Sequence, residues 1–286
     1  MTSASLKTFP QKAPSGRISW WAVGFFGTFH LLVLLAPWHF SWAALGVAIA
    51  LHWLTGSIGI CLAYHRLLTH RSFRVPKWLE YVVTSIGALA IEGGPIFWVA
   101  GHRVHHLHTE DVENDPYSAK RGFWWSHLLW MLYPRAEHFD YKFYKKFAPD
   151  LAKDAYYRWL DRYFLLLQLP LAALLYLWGG WSFVLYGVVV RVVALWHCTW
   201  LINSACHAFG YRTFEDAADN SRNLWWAGIL AYGEGWHNNH HAYPNMAKAG
   251  LQWWEIDVTW WAIQGLRRLG LATHVVLPPS DVQKAN

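Results

Sequence analysis

The sequence predicts an all-α, polytopic membrane protein: four transmembrane helices and a cytoplasmic helical cap carrying a histidine-ligated di-metal site. Three observations lead there. The 286-residue chain is 55% hydrophobic and 15% charged, where soluble domains carry roughly 25% charged residues. It holds 22 tryptophans, a residue that gathers where an apolar body meets a wet edge, as at bilayer interfaces. It also holds 17 histidines, and many of them fall in three dense clusters.

The spans follow from where charge is missing. No Asp, Glu, Lys or Arg occurs between Arg17 and Arg66. A span needs about 20 apolar residues, so this gap holds two, near 19–36 and 42–64, with a turn at Pro37 among Trp38, Phe40 and Trp42. From Tyr163 to Tyr211 the only charge is Arg191, and Gly179-Gly180 divides that block into spans near 163–178 and 181–203. A charge inside a span is costly, so Arg191 is expected to hold a structural partner or to snorkel. Residues 81–101 are apolar but contain Glu92 and the breaker Gly93-Gly94-Pro95, which predicts a surface-lying or re-entrant segment.

Orientation follows from the basic residues. The loops at 37–41 and 179–180 contain none, whereas the N-terminus, residues 66–162 and the region after 211 contain nearly all. Both termini and the polar segments 65–162 and 204–260 are therefore expected in the cytoplasm, within a single domain spanning 1–286. Residues 1–17 are polar and include Lys7, Lys12 and Arg17, so no cleavable leader is expected. The net charge of +6 has no basic run. It suits loops beside anionic membrane lipids rather than nucleic acid. Cys61, Cys198 and Cys206 are scattered and read as buried apolar residues rather than a disulfide or thiolate framework.

The histidine clusters carry the chemistry. They are His65 and His70 in YHRLLTHRSF, His102, His105 and His106 in GHRVHHLHTE, and His237, His240 and His241 in EGWHNNHHAYP. Helical positions i, i+3 and i+4 share a face, so each HxxHH offers three imidazoles from one turn. The i, i+5 pair His65 and His70 does not, and is expected at an unwound helix end or clasping from two sides. These imidazoles exceed what one ion uses, so two metal ions are the economical count; imidazole suits iron, zinc, copper and nickel alike. Glu110, Asp111, Glu113, Asp115, Asp219 and Glu234 flank the clusters as candidates to orient the imidazoles. His30, His39, His52, His108, His127, His138, His197 and His274 stand apart and are expected to be ordinary structural residues.

HRLLTHRSF, GHRVHHLHTE followed by NDPYSAKRGFWWSHLLWML, TWLINSACH, and EDAADNSRNLWWAGILAYGEGWHNNHHAYP stand in order over roughly residues 40–260. This series resembles the membrane fatty acid desaturases, in particular the stearoyl-CoA and acyl-lipid delta-9 branch. The resemblance implies two iron ions and O2 as co-substrate, removing two hydrogens from adjacent methylenes of a fatty acyl chain. It adds His207 as a ninth ligand and Asn203 as the holder of a metal-bound water. It implies one iron on His65, His70, His102, His106 and His240, and the other on His105, His207, His237 and His241. It also implies a substrate channel with Trp98, Trp200, Ser57 and Trp53 as lining residues: Ser57, deeper than His65 on the second span, sets tail length, and Trp53 forms the floor.

Acyl-CoA members of the family carry an Arg-Asp pair where Ala100 and Gly101 stand here, and a basic pair where Pro134-Arg135 stands. The acyl carrier is therefore expected to be a glycerolipid rather than CoA. About 45 residues follow the last cluster, too few for a fused cytochrome, so an external donor of ferredoxin or cytochrome b5 type is expected, steered by Lys120, Arg121 and Arg135. The alternatives are a related membrane di-iron hydroxylase or ketolase, and, from another class, a membrane metal transporter. The latter would need its ligands near the bilayer midplane.

Overall fold

The computed structural model describes residues 17–135, 140–217, 219–279 and 282. Lys7, Lys12 and His138 lie outside the described residues. Serines start the first two helices: Ser19 accepts from Ala22 N at the head of α1 (Trp20–Val33), and Ser41 from Ala44 N at the head of α2 (Trp42–Trp53). Each satisfies one of the free N–H groups that open a helix. Between them Pro37 opens a short tight turn, Ala36–His39, where the sequence placed it.

Two helical stretches are long and apolar enough to cross a bilayer, Trp42–Thr69 with 28 residues and Ala155–His207 with 53. The second is interrupted at Gly179 (φ −146°) and Gly180 (φ 66°, ψ −157°), the latter a conformation suited to glycine, so the chain reverses there. α1 has 14 residues, shorter than a full span of about 20. Large apolar side chains stand exposed on these helices, among them Leu31, Trp42, Leu177 and Trp178, as expected of surfaces covered by lipid rather than water. Among the described residues every regular element is helical, and β pairing is limited to isolated bridges.

Arg191 is 1% exposed and finds its partners inside the bundle. Its guanidinium donates to Gly187 O (2.9 Å), Leu89 O (2.6 Å) and Thr55 Oγ1 (3.2 Å). Backbone and hydroxyl oxygens thus take the place of an acidic partner.

Residues 81–101 form an elbow rather than one surface segment. α3 (Lys77–Ala88) and α4 (Pro95–His108) meet at Ile91 (φ 58°) and Gly93 (φ 104°), and Pro95 occupies the favoured first position of α4. Within the elbow Glu92 accepts hydrogen bonds from Trp98 Nε1 (3.1 Å) and Thr199 Oγ1 (2.8 Å). One buried cluster, including Tyr64, Leu68, Ile96, Leu160 and Ile263, ties the end of the Trp42–Thr69 stretch to α4 and to the Val258–Arg268 helix. It is the floor on which the histidines stand.

Candidate metal centre

His65 and His70 correct an expectation. α2 continues without unwinding into a wide-turned stretch, Leu54–Thr69, and His70 N donates to His65 O at 3.1 Å, an i→i+5 bond. In this π-type turn, positions five apart lie on nearly the same side, which a 3.6-residue turn forbids. The two rings are 4.8 Å apart. The pair shares a face because the helix widens.

α4 carries His102, His105 and His106, and the His237–Ala242 helix carries His237, His240 and His241. Neither turn serves a single centre. The side-chain nitrogens of His65, His70, His102, His106 and His240 form one group, and those of His105, His207, His237 and His241 another, each with ligand atoms within 4.8 Å of one another. In α4 the i, i+4 pair enters the first group and His105 the second. In the His237–Ala242 helix the i, i+4 pair enters the second and His240 the first. His207 closes the second group from the far end of the Arg191–Ser204 helix, its Nε2 3.1 Å from His237 Nε2.

Carboxylates fix four of these rings from behind. Glu234 lies 2.7 Å from His65 Nδ1, Asp115 3.0 Å from His105 Nδ1, Glu110 3.2 Å from His207 Nδ1 and Asp219 2.7 Å from His241 Nδ1. A carboxylate on Nδ1 holds the proton there and turns the Nε2 lone pair inward. Asp111 and Glu113 do not join them: Asp111 accepts from Glu113 N and Asn114 N within their own loop. The Nε2 atoms of His70, His105 and His241 are buried without a hydrogen-bond partner, and Nε2 atoms face each other at 3.1 Å between His65 and His240. Inward lone pairs with nothing to accept from are costly unless a cation sits among them, so both groups fit a metal ion.

Burial, reinforced by neighbouring imidazoles, pushes the pKa values of His70, His102, His106, His237 and His240 well below 6.5, and that of His241 to about 4. They are neutral, as ligands must be. Because these folded-state values lie below the unfolded value of about 6.5, the unfolded chain takes up protons first as pH falls. Metal-free protein should therefore melt at a constant temperature above pH ~7 and at steadily lower temperatures from pH ~6.5 toward 4. Glu234, which burial would raise but Arg66 and His65 hold down to about 2, adds to the loss only below about pH 5, where its carboxylate begins to protonate in the unfolded chain. A melting temperature unchanged from pH 7 to 4 would refute the neutral-histidine account.

Sequence reasoning passed over the scaffold beneath the ligands. Arg66, 2% exposed, donates from Nε to Glu234 Oε1 (3.1 Å) and from Nη1 to Asp257 Oδ2 (2.9 Å) and Ala247 O (2.8 Å). Arg66 thereby holds the carboxylate that holds His65. The Asn-Asn inside HNNHH is structural: Asn238 Oδ1 accepts from Thr213 N and Phe214 N, and Asn239 bridges Asn223, Ala249 O and Glu255. Arg103 fastens α4 to Leu68 O and Asp150. The available signal was an arginine or asparagine flanked by ligands within a motif.

The groups open onto a largely apolar cavity of about 560 Å³ lined by His65, His102, His237, Trp98, Trp200 and Asn203, among others. Ser57 and Trp53 are not among its lining residues. Ser57 is fully buried with Oγ 3.2 Å from Thr259 Oγ1, and Trp53 is 42% exposed. His127 bonds to His197 Nδ1 and Ser204 Oγ, both at 3.0 Å, and His197 to His30. These three, with His39, His52, His108 and His274, join neither group. Arg135 is 4% exposed and donates to Glu113 O and Val112 O, so it is not a free surface charge, whereas the Lys120 side chain is 55% exposed.

Two histidine groups braced by carboxylates, at one end of an apolar helical bundle and opening on an apolar cavity, define a membrane metalloenzyme class that acts on a lipid-like substrate. The profile of the fatty acid desaturase family matches residues 36–274, and the chain belongs to that family. It is similar to an sn-2 palmitoyl-lipid 9-desaturase of Nostoc sp. (strain 36), with 67% identity over 94% of each chain. It is also similar to an sn-1 stearoyl-lipid 9-desaturase of Anabaena variabilis, with 52% identity over 91% of this chain and 95% of the relative. An acyl-CoA C20 Delta5-desaturase of Anemone leveillei is 42% identical over 96% of this chain and 90% of its own. The chain is accordingly an oxidoreductase, a fatty acid desaturase.

Proposed function

We propose that this desaturase introduces a cis double bond at the delta-9 position of a saturated acyl chain carried on a glycerolipid, with two iron ions held by the two histidine groups. The carrying observation is that members of both groups, His65, His102 and His237, line one apolar cavity with Trp98 and Trp200. When bound, the irons supply the electron chemistry by which an acyl chain, O2, two electrons and two protons give an alkene and two waters. The chain's own residues do the rest. Carboxylates keep the imidazoles aimed, and the apolar walls exclude water and align the methylenes. Asn203, on the cavity wall, would hold a water against the metal in this reading. A lipid carrier is supported by Ala100, fully buried, and Gly101, which has open space where a side chain would stand: no charge is offered to a CoA group there. Electrons come from an external donor of ferredoxin or cytochrome b5 type, with Lys120 available to steer it.

We read four membrane crossings with both termini in the cytoplasm, from α1, the Trp42–Thr69 helix and the two arms on either side of Gly179-Gly180. Exposed Trp38, Trp42, Trp178 and Trp181 at the two distal turns support this as an interfacial belt. Cysteine labelling that puts 102–135 across the membrane from 219–260 would overturn it. The function is tested by expressing the chain in a host lacking delta-9 unsaturation and locating double bonds in its lipids. New 9-monoenes in intact glycerolipids are expected; hydroxylated or keto products instead would refute desaturation.

A further inference from the structure

We propose that Tyr232 closes the methyl end of the acyl cavity and sets which chain length fits, its ring seated on Gly56 and tied by His52. This rests on the acyl desaturase reading. Away from the ligands the lining includes Ile60, Cys61, Leu195, Cys198 and Tyr232. The residues directly behind Tyr232 touch it but not the cavity. His52 Nδ1 lies 2.5 Å from its hydroxyl, and a Cβ added at Gly56 would come within 2.8 Å of its ring and 2.9 Å of Leu195 Cδ1. Only a glycine leaves room for a tyrosine ring at that level. Gly56 and His52 precede His65 on one continuous apolar helix, so this end lies toward the membrane interior, where a tail would end.

The stop is firm for three reasons. A phenol hydroxyl in an apolar setting is costly without a partner, and His52 supplies one, so the ring cannot swing aside cheaply. The Tyr232 backbone has φ 57°, uncommon for a bulky residue and kept only where its surroundings enforce it. Thr259 N further pins Tyr232 O at 3.1 Å. Such an end wall decides how much tail fits beyond the metals, while the position of the double bond is set on the carboxyl side of them.

The test uses wild type, Tyr232→Val, Tyr232→Phe and Gly56→Ala in a host whose glycerolipids contain both 16- and 18-carbon saturated chains, reading the ratio of 18- to 16-carbon monoenes. Tyr232→Val should raise that ratio about tenfold over wild type, about 1.4 kcal/mol of selectivity, with the double bond unmoved. Tyr232→Phe, which loses only the tie to His52, should move it the same way by less. Gly56→Ala should lower it by pushing the ring inward. A wild-type ratio in any product-forming variant at Tyr232 overturns the proposal, as does loss of all product in all three variants with metal retained. An end wall governs which chain enters rather than whether any does. Absence of new double bonds with the wild type would instead refute the desaturase reading itself.

Discussion

Replacing His105 or His240 with alanine should abolish double-bond formation, a loss of more than about 100-fold, the upper range for removing even an outer partner of a metal ligand. The two residues come from different helices and belong to different groups. Each variant should bind fewer than two irons per chain while still inserting in the membrane. His274, exposed and in neither group, supplies the control, and His274→Ala should retain both metal and product. Lipid analysis beside elemental analysis of the purified proteins decides the matter. Equal behaviour of all three variants would mean that the ligand assignment is wrong.

The second large effect is structural. Arg66→Met leaves Glu234 and Asp257 buried without their shared cation, and breaking such a network costs about 3–5 kcal/mol. The variant should melt far below wild type in detergent and bind metal weakly, since Glu234 also steadies His65. Arg71→Met is the comparison. Its pair with Asp150 has a guanidinium that is 65% exposed, and such pairs contribute about 1 kcal/mol or less. A melting temperature for Arg66→Met as near wild type as that of Arg71→Met would show that the buried pair contributes little.

Much of this was legible in the sequence because its signals are local. Uncharged stretches announced the long apolar helices, Pro37 and Gly179-Gly180 announced the turns, and clustered histidines announced the groups. What escaped depends on helix pitch and distant packing. Nothing in YHRLLTH declares that the backbone will widen to i→i+5 bonding, so His65 and His70 were expected to require an unwound end or to clasp from two sides. His207 stands alone in NSACH, and only the family pattern pointed to it. Arg66 marked only the end of an uncharged stretch until Glu234 and Asp257, far along the chain, closed around it. Glu110 and Asp219 were named beside unrelated charges such as Asp111, since flanking position alone does not say which carboxylate turns toward a ring.

The divided helical turns carry a thermodynamic consequence. Because α4 and the His237–Ala242 helix each contribute to both groups, an ion that settles in one group immobilises the backbone on which the other depends. The second ion then meets ligands already ordered and forfeits less conformational freedom on binding, which is positive linkage between the two sites. Iron titrated into the stripped protein should load in pairs, with half-filled molecules scarce at every point along the curve.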